Sequence, residues 1–143
     1  MQHGKGVEIW SNGDRFEGDF VNGKKLGMGK FQWADGAVYI GEFSNNFIHG
    51  KGVYTWPDGR QYTGDWKRNN MDGKGVYTWK DGRKYEGEYK NDKKEGYGEL
   101  TWPDSKINAQ RYLIIVISFK KIFFIILIST FSDNNTNSNL MSS

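Results

Sequence analysis

The sequence predicts an all-β protein, an elongated single-layer meander of stacked 23-residue β-hairpin repeats. Three observations predict it. Glycines and aromatics recur in columns 23 residues apart. Gly6, Gly29, Gly52, Gly75 and Gly98 form one column, and Trp10, Trp33, Trp56, Trp79 and Trp102 another. Turn dipeptides recur at the same period, as Asn12-Gly13, Asp35-Gly36, Asp58-Gly59 and Asp81-Gly82. The composition agrees: 19 glycines and 16% aromatic residues within only 36% hydrophobic suit short strands and tight turns rather than a helical bundle.

The third copy shows how each element arises. An extended run passes from Gly50 through Gly52 and Tyr54 to Trp56. Asp58-Gly59 then offers the pair of positive-φ residues that a tight hairpin turn takes. A second run goes from Arg60 to Trp66. Pro57 and Pro103 stand just before the turn, where a lost backbone donor matters least. A second turn signal lies between copies, at Asn22-Gly23, Asn45-Asn46, Arg68-Asn69 and Asn91-Asp92. The residues after it vary most: Lys24-Lys25-Leu26, Phe47-Ile48-His49, Asn70-Met71-Asp72 and Lys93-Lys94-Glu95. They are expected to form a loop that rims one edge of the stack. The expected total is nine short strands in about four and a half hairpins.

Strand alternation sorts the columns onto two faces. Gly52, Tyr54 and Trp56 share a face on one strand, and Tyr62, Gly64 and Trp66 share one on the next. This aromatic face carries glycine between its rings, where a ring or a neighbouring backbone can come close. The opposite face carries the acidic column Asp19, Glu42, Asp65 and Glu88 and should meet water.

Taken together, Tyr62-Thr63-Gly64-Asp65-Trp66, then Gly73-Lys74-Gly75, then Trp79-Lys80-Asp81-Gly82 resemble the MORN (membrane occupation and recognition nexus) repeat. The resemblance covers roughly residues 4–104. It implies a scaffold that mediates protein–protein interaction, of the kind found in junctional membrane proteins, ciliary radial-spoke heads and cytoskeletal proteins. It also implies two alternatives. One is a membrane- or phosphoinositide-associated module. The other is a regulatory array severed from an enzyme such as a phosphatidylinositol-phosphate kinase or lysine methyltransferase.

Charge and chemistry narrow these classes. No cysteine is present, so disulfides, thiolate metal sites and cysteine nucleophiles are excluded, and the two histidines leave little for a zinc site or a histidine base. The net charge of +3 comes from the far end, where Lys106, Arg111, Lys120 and Lys121 face one acid, Asp133. The repeats are neutral, which argues against nucleic-acid binding. The periodic glycine pairs lack the third glycine and helix of a phosphate loop, and each Asp-Gly turn offers one carboxylate where calcium needs several. His3 and His49 are expected to be solvated loop residues. No catalytic residue, cofactor or metal is therefore expected.

Two surfaces remain as candidates. One is a partner groove on the aromatic face, lined by Tyr39, Phe43, Tyr54, Trp56, Tyr62, Trp66, Tyr77, Trp79 and Tyr85. A protein is the expected occupant. The competing role of these rings is the core between hairpins. The other surface is the rim, where Phe47, Ile48 and Met71 supply apolar contacts and Lys24, Lys25, Lys67, Arg68, Lys93 and Lys94 could meet lipid headgroups. Met1-Gln2-His3-Gly4 leads straight into a repeat without a secretory leader, so a cytoplasmic location is expected, with membrane, cytoskeletal or ciliary association implied by the resemblance.

The repeats occupy residues 1–105, and the pattern then fails. Residues 106–143 form an apolar and then polar tail open to three readings. Residues 112–131 are long enough to span a bilayer as a helix. However, Lys120 and Lys121 at the centre cost about 5–7 kcal/mol against roughly 4–8 returned by fourteen apolar residues. The lysine pair also splits the segment into β-branched runs at 113–119 and 122–128, which could be strands capping the array. Finally, the Ile, Phe, Lys, Asn, Leu and Ser content is what translated A/T-rich non-coding sequence gives. The Asn- and Ser-rich residues 132–143 are expected to be disordered.

Overall fold

The structure, a computed structural model, describes residues 1–103, 110–119 and 122–129. Nine strands make the repeat array: β1 (Gly4–Ile9), β2 (Arg15–Val21), β3 (Lys24–Gln32), β4 (Val38–Ser44), β5 (Phe47–Thr55), β6 (Gln61–Lys67), β7 (Asn70–Thr78), β8 (Lys84–Lys90) and β9 (Lys93–Trp102). Each pairs antiparallel with the next, so spatial order equals chain order and the sheet is a meander. Strands β10 (Gln110–Phe119) and β11 (Ile122–Ser129) continue the same sheet, and the two β-branched runs fall within them. Among the described residues no helix is long and apolar enough to cross a membrane. The lysine pair Lys120-Lys121 and residues 132–143 lie outside the described residues.

Two turns alternate along the meander. At the Asp-Gly turn the Gly59 N–H donates to the Trp56 carbonyl at 3.0 Å, and the Trp56 N–H donates to Arg60 at 2.9 Å. Only the glycine is left-handed (Gly59 φ 91°), and Asp58 is not. The expectation of two positive-φ residues here is therefore corrected. Pro57 and Asp58 take an ordinary right-handed turn, and glycine alone reverses the twist. Asp58 holds the turn with its side chain, accepting the Arg60 N–H at 3.1 Å.

The second turn does use two left-handed residues: Asn45 and Asn46 at φ 51° and 69°, and Arg68 and Asn69 at 44° and 70°. Such a turn needs only two residues, so Ser44 pairs at once with Phe47, and Lys67 with Asn70. This corrects the rim loop. Residues 24–26, 47–49, 70–72 and 93–95 are the opening residues of β3, β5, β7 and β9. The length that seemed to require a loop is absorbed by a bulge inside the strand. Between the pairs Trp66↔Met71 and Gly64↔Gly75, the single residue Asp65 faces three, Asp72, Gly73 and Lys74. Gly73 takes φ 111° there, and the Asp65 carboxylate accepts the Lys74 N–H at 3.1 Å. From Gly27 onward, the first glycine of each Gly-x-Gly pair is thus a bulge residue inside its strand.

The core lies on the aromatic face. Phe16, Tyr39, Tyr62 and Tyr85 are fully buried, one per copy. Each ring lies flat on a pair of facing glycines. A Cβ added at Gly18 would stand 2.7 Å from both the Phe16 ring and the Gly29 Cα, and one added at Gly52 would overlap the Tyr39 ring. Between them come Phe20, Phe43, Trp66 and Tyr89. The eight rings form one edge-to-face file, with neighbouring centroids 5.0–5.6 Å apart. Each such contact adds about 0.5–1.5 kcal/mol beyond the area it buries. The opposite face carries Lys5–Asp19 and Lys51–Asp65 ion pairs at 3.1 and 2.7 Å and is open to solvent.

Candidate interaction surface

A second file of rings runs beside the buried one. Trp10, Phe31, Trp33, Tyr54, Trp56, Tyr77 and Trp79 are tilted or stacked on one another in that order, with centroids 4.4–5.4 Å apart. Apart from Tyr77, which is nearly covered, these rings are half-buried. The ladder passes through four copies without a break because Trp directly follows one strand of each hairpin and, from the second copy on, the aromatic two residues before it is its neighbour in the file.

The nine rings expected to line a groove therefore divide. Tyr39, Phe43, Tyr62, Trp66 and Tyr85 belong to the buried file. They offer no usable surface to a partner, because all five are buried, the three tyrosines lying directly on glycine. Tyr54, Trp56, Tyr77 and Trp79 belong to the ladder. Trp10, Phe31 and Trp33 belong to the same file without having been named as candidates, although they stand in the same 23-residue columns as Trp56 and Tyr54.

The rim residues divide too. Lys25, Ile48, Met71 and Lys94 share one column and turn onto the aromatic face. Ile48 is buried, and Met71 packs against the core. The Lys25 ammonium lies 4.8 Å from the Trp10 ring and 5.0 Å from Phe16, and is paired with Glu8 at 3.1 Å. The Lys94 ammonium lies 5.0 Å from Tyr85, 5.4 Å from Trp79 and 5.7 Å from Tyr77. Burial pushes its pKa down from the ordinary lysine value. Six bases therefore do not make one exposed stripe, because two are drawn under the rings by cation–π attraction. Lys24, Lys67, Arg68 and Lys93 remain exposed, as does Phe47 with the Arg68 guanidinium 6.0 Å from its ring.

Arginines flank the ladder. Arg60 stacks 5.5 Å over Trp56, pairs with Asp58 at 2.7 Å and donates to the Tyr77 hydroxyl at 3.1 Å. Arg83 likewise stacks 5.0 Å over Trp79 and pairs with Asp81 at 2.7 Å, with no tyrosine hydroxyl at the equivalent position, Leu100. Those bonds hold the Asp58 and Asp81 carboxyls below the usual range, chiefly through the backbone N–H groups of Arg60 and Arg83. The carboxylates of this region are thus turn supports. Tyr39 and Tyr62 donate their hydroxyls to the Glu42 and Asp65 carbonyls at 3.0 Å, and burial raises both pKa values.

His3 and His49 also support turns. His49 Nδ1 accepts the Arg68 N–H at 3.3 Å, and His3 Nδ1 accepts the Asn22 N–H at 3.5 Å. Among the described residues no group of three or more His, Cys, Asp or Glu is placed to hold a metal ion.

The family model described as MORN repeat matches residues 1–15, 16–38, 39–59, 62–82 and 85–106. No curated protein matches the chain.

Proposed function

The chain belongs to the MORN repeat family, and on that premise we propose that it is a non-enzymatic scaffold that binds a protein partner along the half-buried aromatic ladder. The ladder itself carries this reading. Six of its seven rings pack against the core yet stay only half-covered, while Tyr77 is part of the core itself. Rings that are half-covered in the free chain can bury their remaining area against a partner, and aromatic side chains dominate such contacts. The charged residues beside the ladder have structural work in turns and bulges, which leaves binding rather than chemistry as its use.

Selection from a displayed library of linear peptides against the intact chain tests the proposal. Selected peptides should bind the native chain and lose at least tenfold in affinity to a Trp33→Leu variant that keeps its strand spectrum. Selection of nothing, together with binding of the chain to vesicles containing phosphoinositide, would overturn it in favour of a lipid-binding module.

A further inference from the structure

We propose that the ladder receives a proline-rich segment in the polyproline II conformation, running along the array with an acidic residue beside Trp79. The inference rests on the scaffold reading above and deepens it by naming the occupant.

The argument is one of matching periods. Successive ladder tryptophans belong to successive copies, two strands apart. Strands lie 4.7–4.9 Å apart, so the column has a period of about 9.6 Å. A polyproline II helix has three residues per turn and rises 3.1 Å per residue, so every third side chain points the same way at about 9.3 Å. Ten residues would set four of them over Trp10, Trp33, Trp56 and Trp79 with about 1 Å of accumulated mismatch. Other conformers fit worse. An extended strand repeats a face every second residue, about 6.7 Å. An α-helix returns to one face after seven residues, about 10.5 Å, and loses about 3 Å over the same length.

The chemistry agrees with the spacing. Proline rings pack well on flat aromatic surfaces, and the bare carbonyls of polyproline II need donors. Trp66 donates its indole N–H to the Gly52 carbonyl. No hydrogen bond within the chain engages the indole N–H of Trp33 or Trp56 among the described residues, so both are open to a partner. Charge sets the direction. Lys25 has Glu8, Arg60 has Asp58 and Arg83 has Asp81. Among the described residues no carboxylate pairs with Lys94, whose ammonium stands 5.4 Å from the Trp79 ring. An acidic residue of the partner would complete that pair.

Three synthetic peptides test the proposal by titration of the full chain's tryptophan fluorescence: ten prolines ending in two aspartates, ten prolines ending in two lysines, and a glycine–serine peptide ending in two aspartates. The acidic polyproline should bind at least tenfold tighter than the glycine–serine peptide and severalfold tighter than the lysine-ended one. Trp56→Leu should cost at least tenfold. Lys94→Met, which copies Met71 of the preceding copy, should remove the preference between the two polyproline ends while leaving binding. In the native chain the indole N–H signals of Trp33 and Trp56 should shift on titration, a readout that needs no variant. Equal binding of polyproline and glycine–serine peptides, or a charge preference that survives in Lys94→Met, would overturn the proposal. Library selection of tight linear peptides without proline would overturn it too while leaving the scaffold reading in place.

Discussion

Tyr62 and Tyr85 hold the same position in successive copies, yet their hydroxyls differ. Tyr62 donates to the Asp65 carbonyl at 3.0 Å, whereas the buried Tyr85 hydroxyl has no partner. The bulge accounts for it: in the later copy Glu88 pairs directly with Glu95, and the ladder shifts at Gly87/Glu88 instead of two residues apart. A buried hydrogen bond is worth about 1 kcal/mol net, and an orphaned hydroxyl costs rather than contributes. Tyr62→Phe should therefore destabilise the chain by about 1 kcal/mol, while Tyr85→Phe should be neutral or stabilising, as chemical denaturation would measure. Phe16, at the same position of the first copy, shows that the ring suffices. Arg68 is a second test. It holds φ 44° where the copy before has Asn45, and a left-handed conformation costs a side chain such as arginine about 1–2 kcal/mol. Arg68→Asn should raise the unfolding midpoint, and an unchanged or lower midpoint would count against the turn assignment. The columns on which these predictions rest are legible in the sequence. The hydroxyl partners are not, because they depend on where a strand shifts register.

At the scale of the element, the two-residue turn does more than reverse the chain. Asn69 at its second position donates its N–H to the Ile48 carbonyl and accepts the Ile48 N–H on its side chain, both at 2.9 Å. Asn46 makes the same pair of bonds to Lys25, and Asp92 makes them to Met71. Each turn is thus stapled to the strand one copy back, at the residue that precedes the bulge. Gly23 makes only the backbone bond, to Gln2. Asn69→Gly keeps the left-handed conformation and removes the side-chain bond, so it should cost about 1 kcal/mol. Amide exchange at Ile48 should quicken with it. Alternation and turn dipeptides made the strands and both turn positions readable. The bulge was hidden because a glycine with positive φ inside a strand looks in sequence like a glycine that opens one.

The same bulge has a pH dependence. Hydrogen bonds from Lys51, and then from the Lys74 N–H, hold the Asp65 carboxyl below its ordinary value despite some opposing burial. A carboxyl lowered in the folded state stabilises fully above the unfolded value near 4 and loses that contribution as pH falls through the folded one. Stability should therefore drop below about pH 4, and Asp65→Asn should flatten that acid limb. An unchanged acid limb in the variant would show that the carboxylate does not hold the bulge.

At the scale of the molecule, the described strands all lie in one sheet, and among the described residues no second layer covers its aromatic face. It solves this with two files of rings. The buried one lies on glycine and forms the core, and the half-buried one forms the ladder. The sequence placed all these rings on one face but could not divide them, because alternation gives the side of a strand and not the depth at which glycine lets a ring settle. Gly52→Ala tests that division, since its Cβ would overlap the Tyr39 ring. Overpacking of this kind costs about 1–3 kcal/mol. Its effect should fall on the second and third copies, as neighbour-limited stability in a stacked array requires.

The central claim is that the ladder and not the charged face meets the partner. It is tested most directly by titrating a library-selected peptide into the full chain and following the six tryptophan indole N–H signals by two-dimensional nuclear magnetic resonance. Shifts at Trp10, Trp33, Trp56 and Trp79, with the internally bonded Trp66 unmoved, are the predicted result. Movement confined to the amides around Lys51, Asp65 and Lys74 would place the partner on the opposite face and contradict the account.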